Sequence, residues 1–269
     1  MYHHGKPNNL KMELLASLSI IGYILSTLSI KNMLMQFNQK FTQTLFCIVL
    51  LLSIILTSIY TYDLASSHSM KINFAIALLV TSIILNYLFF LFMFTKPIKH
   101  LGVILFPLTI GAILLTLFFN FEKEQIKIDN SLILHIVVSI VSYGFLGLAA
   151  IQAILLKHQE YKLKNIQNSS LNNVLPSIEK MEKVMFELII LGFILLTLSL
   201  LSGSPFVILD GNQNLLQKIT FSIIAWVTYS YLLFKKFSSG VRGRQATNLA
   251  LGGMIFLFIA YLGTKIFFM

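Results

Sequence analysis

The sequence is poor in charged residues, in cysteine and in tryptophan. Charged side chains make up 11% of the 269 residues, whereas soluble domains carry about 25%, so a soluble globular protein is excluded. The single cysteine, Cys47, excludes a disulfide framework and any zinc or iron–sulfur site built on several thiolates. Walker A, Rossmann, HExxH, GxSxG and EF-hand patterns are also absent from the sequence. These absences leave no recognisable catalytic motif, and we expect that the protein is not an enzyme.

Apolar residues, by contrast, make up 57% of the chain and occur in long runs. About eight windows are long enough to cross roughly 30 Å of hydrocarbon as helices. Continuous runs without polar–apolar alternation favour helices over barrel strands. The sequence therefore predicts an all-α polytopic bundle with about eight transmembrane helices, forming a single membrane domain over residues 1–269. The windows lie near residues 10–31, 42–62, 74–95, 101–119, 131–156, 183–202, 216–235 and 248–268.

Polar segments between the windows predict where the helices end. The longest connection, residues 157–182, is expected to extend the fifth and sixth helices beyond the membrane. Its sequence Pro176-Ser177, followed by Glu179, is typical of a helix start, with proline in the first turn and an acid near the N-terminus. The predicted breaks are Lys31-Asn32, Thr95-Lys96-Pro97, residues 122–130, Ser202-Gly203-Ser204-Pro205 and Ser238-Ser239-Gly240.

Basic residues are distributed unevenly among the alternate loops. One set of loops holds 13 of the 20 Lys and Arg residues and the opposite set holds seven. The positive-inside rule assigns the richer set to the cytoplasm and both termini to the periplasm. The net charge of +10 is thus explained by membrane orientation, and no nucleic-acid partner is expected. The richer set is Lys31, Lys40, Lys96, Lys99, Lys157, Lys162, Lys164, Lys180, Lys183, Lys235, Lys236, Arg242 and Arg244.

Among the histidines, His135 is the one that lies inside an apolar window. His100 and His158 fall in basic loops and His68 falls in an outer loop, where we expect all three to be solvated. Intramembrane charge is otherwise sparse, which argues against a proton-driven pump or a channel with a charged pathway. His135 is therefore the first candidate for a functional residue.

Polar residues follow His135 at the spacing of a helix. His135, Ser139 and Ser142 share one helical face, and this polar stripe should face the protein interior or a cavity because lipid would not satisfy it. On spacing alone, two explanations remain open. One is a structural histidine bonded to Ser139 or Tyr143, which is the commoner case. The other is a histidine that binds a ligand.

The same stretch carries a family resemblance. Residues Leu134 to Ala153 resemble the central histidine-bearing helix of the cytochrome c assembly family, whose members are multi-span membrane proteins that handle haem. The similarity covers about residues 90–268 and points to the bacterial inner-membrane YpjD group. It implies a bacterial inner-membrane location, a role in cytochrome c assembly, and non-covalent haem with His135 as an axial ligand to the iron. Further matching segments are Phe106-Pro107, Pro176-Ser177, Leu195–Leu198, Ala225-Trp226, Gly240–Arg244 and Ala260-Tyr261.

The sequence departs from this family in three places. Haem exporters and synthases of the family carry a tryptophan-rich outer loop, whereas Trp226 is the single tryptophan here and lies inside a window. Relatives often have one histidine near the end of the second span, where this chain reads Thr57–Tyr60, and another where it has Phe237. His68 is the remaining histidine near the outer face, and it becomes the candidate second ligand.

Two functions and one lipid contact follow as hypotheses. The first function is binding or escorting haem in cytochrome c assembly. The alternative is an accessory membrane subunit of the same fold that has lost haem binding and supports a partner membrane protein. A small-molecule transporter lacks the inverted repeat or broken helix that would favour it. Separately, Arg242 and Arg244 in the motif Gly240–Arg244 suit anionic lipid headgroups, although a topogenic turn is the more ordinary explanation of the motif.

Overall fold

The structure is a computed structural model. It describes residues 9–35, 40–66, 71–72, 74–118, 124–125, 130–164, 176–210 and 213–266. The chain falls into two compact units, residues 1–127 and residues 128–269. Whether these units form the single membrane domain expected from the sequence stays a prediction. His68 lies outside the described residues.

Within the described residues, the first unit contains four α-helices, a 3-10 turn and one short antiparallel pair of strands. Helix α1 packs against α2 and α4, and α3 packs against α2 and α4. The paired strands join the loop before α3 to the segment after α4. The elements are α1 (Asn9–Met35), α2 (Lys40–Ser66), β1 (Lys71–Ile72), α3 (Phe74–Phe92), a 3-10 turn (Lys99–Leu101), α4 (Gly102–Phe118) and β2 (Glu124–Gln125).

The second unit contains four long helices. Helix α5 packs along α6 and also contacts α8, while α7 packs against both α6 and α8. The elements are α5 (Asn130–Lys164), α6 (Ile178–Asp210), α7 (Gln213–Ser239) and α8 (Gly243–Ile266). Because α5 runs to Lys164 and α6 begins at Ile178, both helices continue into the connection at residues 157–182, as predicted. Their extension beyond the membrane stays a prediction.

The chain is thus an all-α polytopic membrane protein, as the sequence predicts. Each of the eight apolar windows corresponds to a helix in the described residues, and six of these helices are long and apolar enough to cross a membrane by themselves. The other two, α7 and α8, do not meet that criterion over the residues described. The number of spans and the periplasmic position of both termini stay predictions.

Two helices extend beyond their predicted ends. Helix α1 continues past Lys31-Asn32 to Met35, and α6 continues through Gly203 to Asp210. Within α6, the hydroxyl of Ser202 donates to the carbonyl of Ser199 at 3.0 Å. The helix continues through Gly203 because backbone groups in an apolar environment have no water to bind.

His100 was expected to be solvated, and this is wrong, because it is 3% exposed. The 3-10 turn that carries it folds against α1, and Ile98 and Leu101 are fully buried on either side. His158 is exposed as predicted.

A polar contact crosses the core of the first unit. The amide nitrogen of Asn86 on α3 donates to the hydroxyl of Thr109 on α4 at 2.7 Å, and both residues are fully buried. Nearby, the ring of Phe106 meets that of Phe89 edge-on, with 5.5 Å between the centroids. Lipid tails provide no hydrophobic drive between helices, so ring packing and interhelical hydrogen bonds hold α3 on α4.

Candidate functional site

His135 lies in the second turn of α5 and is half-buried against α6. Its Nδ1 lies 3.1 Å from the carbonyl oxygen of Ser199 and 3.1 Å from the hydroxyl oxygen of Ser202. Both partners belong to α6, more than 60 residues further along the chain. These two contacts of Nδ1 join His135 to α6, whereas spacing alone had offered Ser139 or Tyr143 of its own helix as a partner.

The carbonyl of Ser199 determines which nitrogen of His135 carries the proton. A carbonyl oxygen only accepts hydrogen bonds, so Nδ1 at 3.1 Å is the donor. In a neutral imidazole the other nitrogen, Nε2, then carries the lone pair. A hydrogen bond from Nδ1–H to a backbone carbonyl is also the common arrangement in metal-ligating histidines.

The polar stripe on α5 faces α6 throughout, which confirms its predicted direction toward the protein interior. The Ser139 hydroxyl donates to the carbonyl of His135 at 2.6 Å and also lies 2.6 Å from the Ser199 hydroxyl. One turn further, the Ser142 hydroxyl donates to the carbonyl of Gly192 at 2.9 Å. These bonds connect α5 to the backbone and side chains of α6, so the turn that presents His135 is held by several polar contacts.

The single tryptophan lies between helices. Trp226 of α7 stacks on Phe193 of α6 with 5.6 Å between the ring centroids, and its indole N–H donates to the hydroxyl of Thr197 at 2.9 Å. Tyr143 of α5 and Tyr261 of α8 meet edge-on at 6.1 Å. Trp226 is therefore a packing residue of the α6–α7 interface.

The remaining candidates contribute less to this site. His68 lies outside the described residues, so its role as a second ligand stays a prediction. Within the described ranges, no group of three or more His, Cys, Asp or Glu side chains is placed to hold a metal ion. The residues that sequence reasoning missed are Ser199 and Ser202, because their hydroxyls read as ordinary polar residues of an apolar window.

The turn between α7 and α8 contains two glycines whose backbone conformation favours glycine. Gly240 and Gly243 have φ angles of 63° and 61°, in the left-handed region that glycine adopts at helix ends. The Gly240 N–H donates to the carbonyl of Lys236 at 3.1 Å and closes α7. Arg242 and Arg244 are exposed beside this turn. The geometry suits the topogenic-turn explanation and leaves both guanidinium groups accessible to lipid headgroups.

The helices and this site define a multi-pass membrane protein that presents one imidazole between two packed helices. The sequence profile of the family described as Cytochrome C assembly protein matches residues 43–269. The chain therefore belongs to the cytochrome c assembly family. The match begins well before residue 90, so the likeness is broader than the segment in which the motifs were recognised.

Three relatives show how far the similarity extends. The chain is 30% identical to inner membrane protein YpjD of Escherichia coli K12 over 173 residues, which are 62% of this chain and 65% of that protein. It is 24% identical to the cytochrome c biogenesis protein CcsA of Prochlorococcus marinus MIT 9215 over 284 residues, or 92% of this chain and 91% of that protein. CcsA of strain MIT 9303 is 30% identical over 104 residues, covering 36% and 31%.

The similarity to YpjD thus spans about two thirds of that relative's length. Taken with the candidate spans, the relatives make this chain a multi-pass protein of the bacterial inner membrane. No solved structure gives a significant match.

Proposed function

We propose that this protein binds or escorts haem in the inner membrane during cytochrome c assembly, with His135 as an axial ligand and without covalent chemistry of its own. Membership of the cytochrome c assembly family supports the pathway. The CcsA relatives are named as cytochrome c biogenesis proteins. The role of His135 depends on the geometry of the site.

The observation that carries the proposal is the hydrogen bond from Nδ1 of His135 to the carbonyl of Ser199. It holds the imidazole in the tautomer whose lone pair is on Nε2, and it raises the basicity of that nitrogen. Haem iron takes imidazole as an ordinary axial ligand. One imidazole suffices for a first axial bond, because the porphyrin supplies the equatorial ligands.

In this proposal the residues of the chain position His135 as the iron ligand, and none of them reacts with haem. Ser139 and Ser142 tie the histidine-bearing turn of α5 to α6, so the imidazole is presented from a supported position. Haem is the cargo in this proposal, and its iron supplies the acceptor orbital for the imidazole nitrogen. We propose His68 as the second axial ligand, because it is the remaining histidine that the sequence places near the outer face.

The test is the absorption spectrum of the protein purified in detergent after expression with excess haem precursor. Wild type is expected to show the Soret band of bound haem, and His135→Ala is expected to lose most of it at an equal protein level. His158→Ala is the matched control, because His158 is an exposed histidine of the same helix. Equal haem-to-protein ratios in wild type and His135→Ala would refute the assignment. The same spectrum of His68→Ala tests the second ligand.

A second candidate function is an accessory membrane subunit without haem. The contacts of His135 with Ser199 and Ser202 are compatible with this function as well, because a structural histidine would make the same contacts. The packing of Trp226 against Phe193 adds to it, since this ring is committed to a helix interface. Copurification of a stoichiometric second membrane protein, with no haem in either, would favour this function.

We propose in addition that Arg242 and Arg244 contact anionic lipid headgroups. Both side chains are exposed, and each basic residue near a negatively charged leaflet contributes about 1 kcal/mol. The double variant Arg242→Gln/Arg244→Gln should retain less anionic lipid than wild type when both are purified in mixed micelles of detergent and lipid. Unchanged lipid preference would leave the motif as a turn only.

A further inference from the structure

Gly203 on α6 lies directly against the ring of His135. A methyl group built at Gly203 would place its carbon 2.7 Å from Cε1, 3.2 Å from Nδ1 and 3.3 Å from Nε2 of His135. Real Cβ atoms essentially never approach another heavy atom as closely as the first of these distances. The imidazole therefore occupies the space that any side chain at position 203 would need.

The position of Gly203 relative to Ser199 explains why this space matters. The two residues are four apart on α6, and a helical side chain covers the turn on the N-terminal side of its own Cα. A side chain at 203 would therefore cover the flank of α6 from which the ring reaches the Ser199 carbonyl. Glycine leaves that carbonyl accessible to Nδ1 at 3.1 Å.

We infer that Gly203 is a positioning residue for His135: its missing side chain admits the imidazole to the surface of α6, and the Ser199 carbonyl then sets the tautomer with the lone pair on Nε2. Neither the serine stripe nor the family resemblance assigns this role. The consequence for haem rests on the proposed function, whereas the consequence for the ring itself does not. A substituent at 203 would also crowd Nε2, the atom proposed to bind iron.

The first experiment is a double-mutant cycle on melting temperature, measured in detergent without added haem. Gly203→Ala is expected to lower the melting temperature of wild type, because the new methyl group meets the ring. In the His135→Ala background the same change should have little effect, because the ring has been removed. Gly252→Ala is the matched control: it lies in α8 of the same unit and a methyl group there meets nothing within 4 Å.

The second experiment reads the tautomer of His135 by nitrogen NMR of histidine-labelled protein, again without haem. Wild type should show the proton on Nδ1, and Gly203→Ala should change or mix the tautomers while Gly252→Ala does not. If Gly203→Ala fails to fold, recovery of folding by His135→Ala/Gly203→Ala still supports the contact. Failure of the double variant as well, or an unchanged tautomer and melting temperature in Gly203→Ala, would overturn it.

A haem measurement separates this inference from the proposed function. If wild type carries haem, Gly203→Ala should lower the affinity about 10- to 100-fold, as outer-shell changes at metal ligands do, and Gly252→Ala should not. An unchanged affinity in Gly203→Ala would overturn the positioning role. If wild type carries no haem but the NMR and melting results are as expected, the proposed function fails and the positioning of the ring stands.

Discussion

Lys236 of α7 binds Glu182 of α6, with 3.2 Å between the ammonium nitrogen and a carboxylate oxygen. The Glu182 side chain is 9% exposed and that of Lys236 is 27% exposed. The same ammonium group lies 4.2 Å from the ring centroid of Phe186. Glu182 is therefore a nearly buried carboxylate whose charge is balanced by a lysine from the neighbouring helix.

This pair predicts an asymmetry between its two partners. Lys236→Met leaves a carboxylate buried without its partner, which should destabilise the protein by about 1–3 kcal/mol, allowing for the partial exposure of the lysine. Glu182→Gln removes the buried charge and should cost less. Thermal unfolding in detergent measures both, with Lys180→Met as a control at an exposed lysine of α6. A larger loss in Glu182→Gln than in Lys236→Met would contradict the prediction.

Gly240 predicts a purely conformational cost. Its φ angle of 63° is left-handed, and a methyl group there would meet nothing within 4 Å. Gly240→Ala should therefore lower stability by about 1–2 kcal/mol through backbone strain alone, whereas Gly240→Asn should cost less because asparagine tolerates this region. Melting temperatures of the two variants provide the comparison, and equal losses would contradict the expected advantage of asparagine in the left-handed region.

The contact between Asn86 and Thr109 predicts a modest coupling in the first unit. Interhelical hydrogen bonds within membranes contribute about 0.6 kcal/mol on average. The value is small because the same polar groups also find hydrogen-bond partners in the unfolded state. A double-mutant cycle of Asn86→Ala and Thr109→Ala should therefore give a coupling free energy near that value. Purely additive effects of the two changes would mean that the 2.7 Å contact does not stabilise the packing of α3 on α4.

The orientation predicts the behaviour of two fusions. Because 13 basic residues fall in one set of loops and seven in the other, both termini should face the periplasm. Alkaline phosphatase, which is active only in the periplasm, should be active when fused after Met269 and silent when fused after Ser239. The reverse result would move His135 to the cytoplasmic side.

Much of the helical architecture follows from local sequence. A membrane interior leaves backbone polar groups no water to bind, so a long apolar run has to satisfy them within its own helix. This is why the windows around His135 and elsewhere coincide with helices α1 to α8 in the described residues. The 3.6-residue period likewise placed His135, Ser139 and Ser142 on one face, and that face packs on α6.

The partner of His135 was decided by tertiary structure alone. Spacing favoured Ser139 or Tyr143, because local reasoning considers only side chains within the same helix. The observed acceptor is a backbone carbonyl, that of Ser199, which lies 64 residues away in sequence, and every residue has such a group. This carbonyl can be reached because Gly203 has no side chain to cover it. The sequence cannot show that effect, because it depends on the packing of α5 against α6.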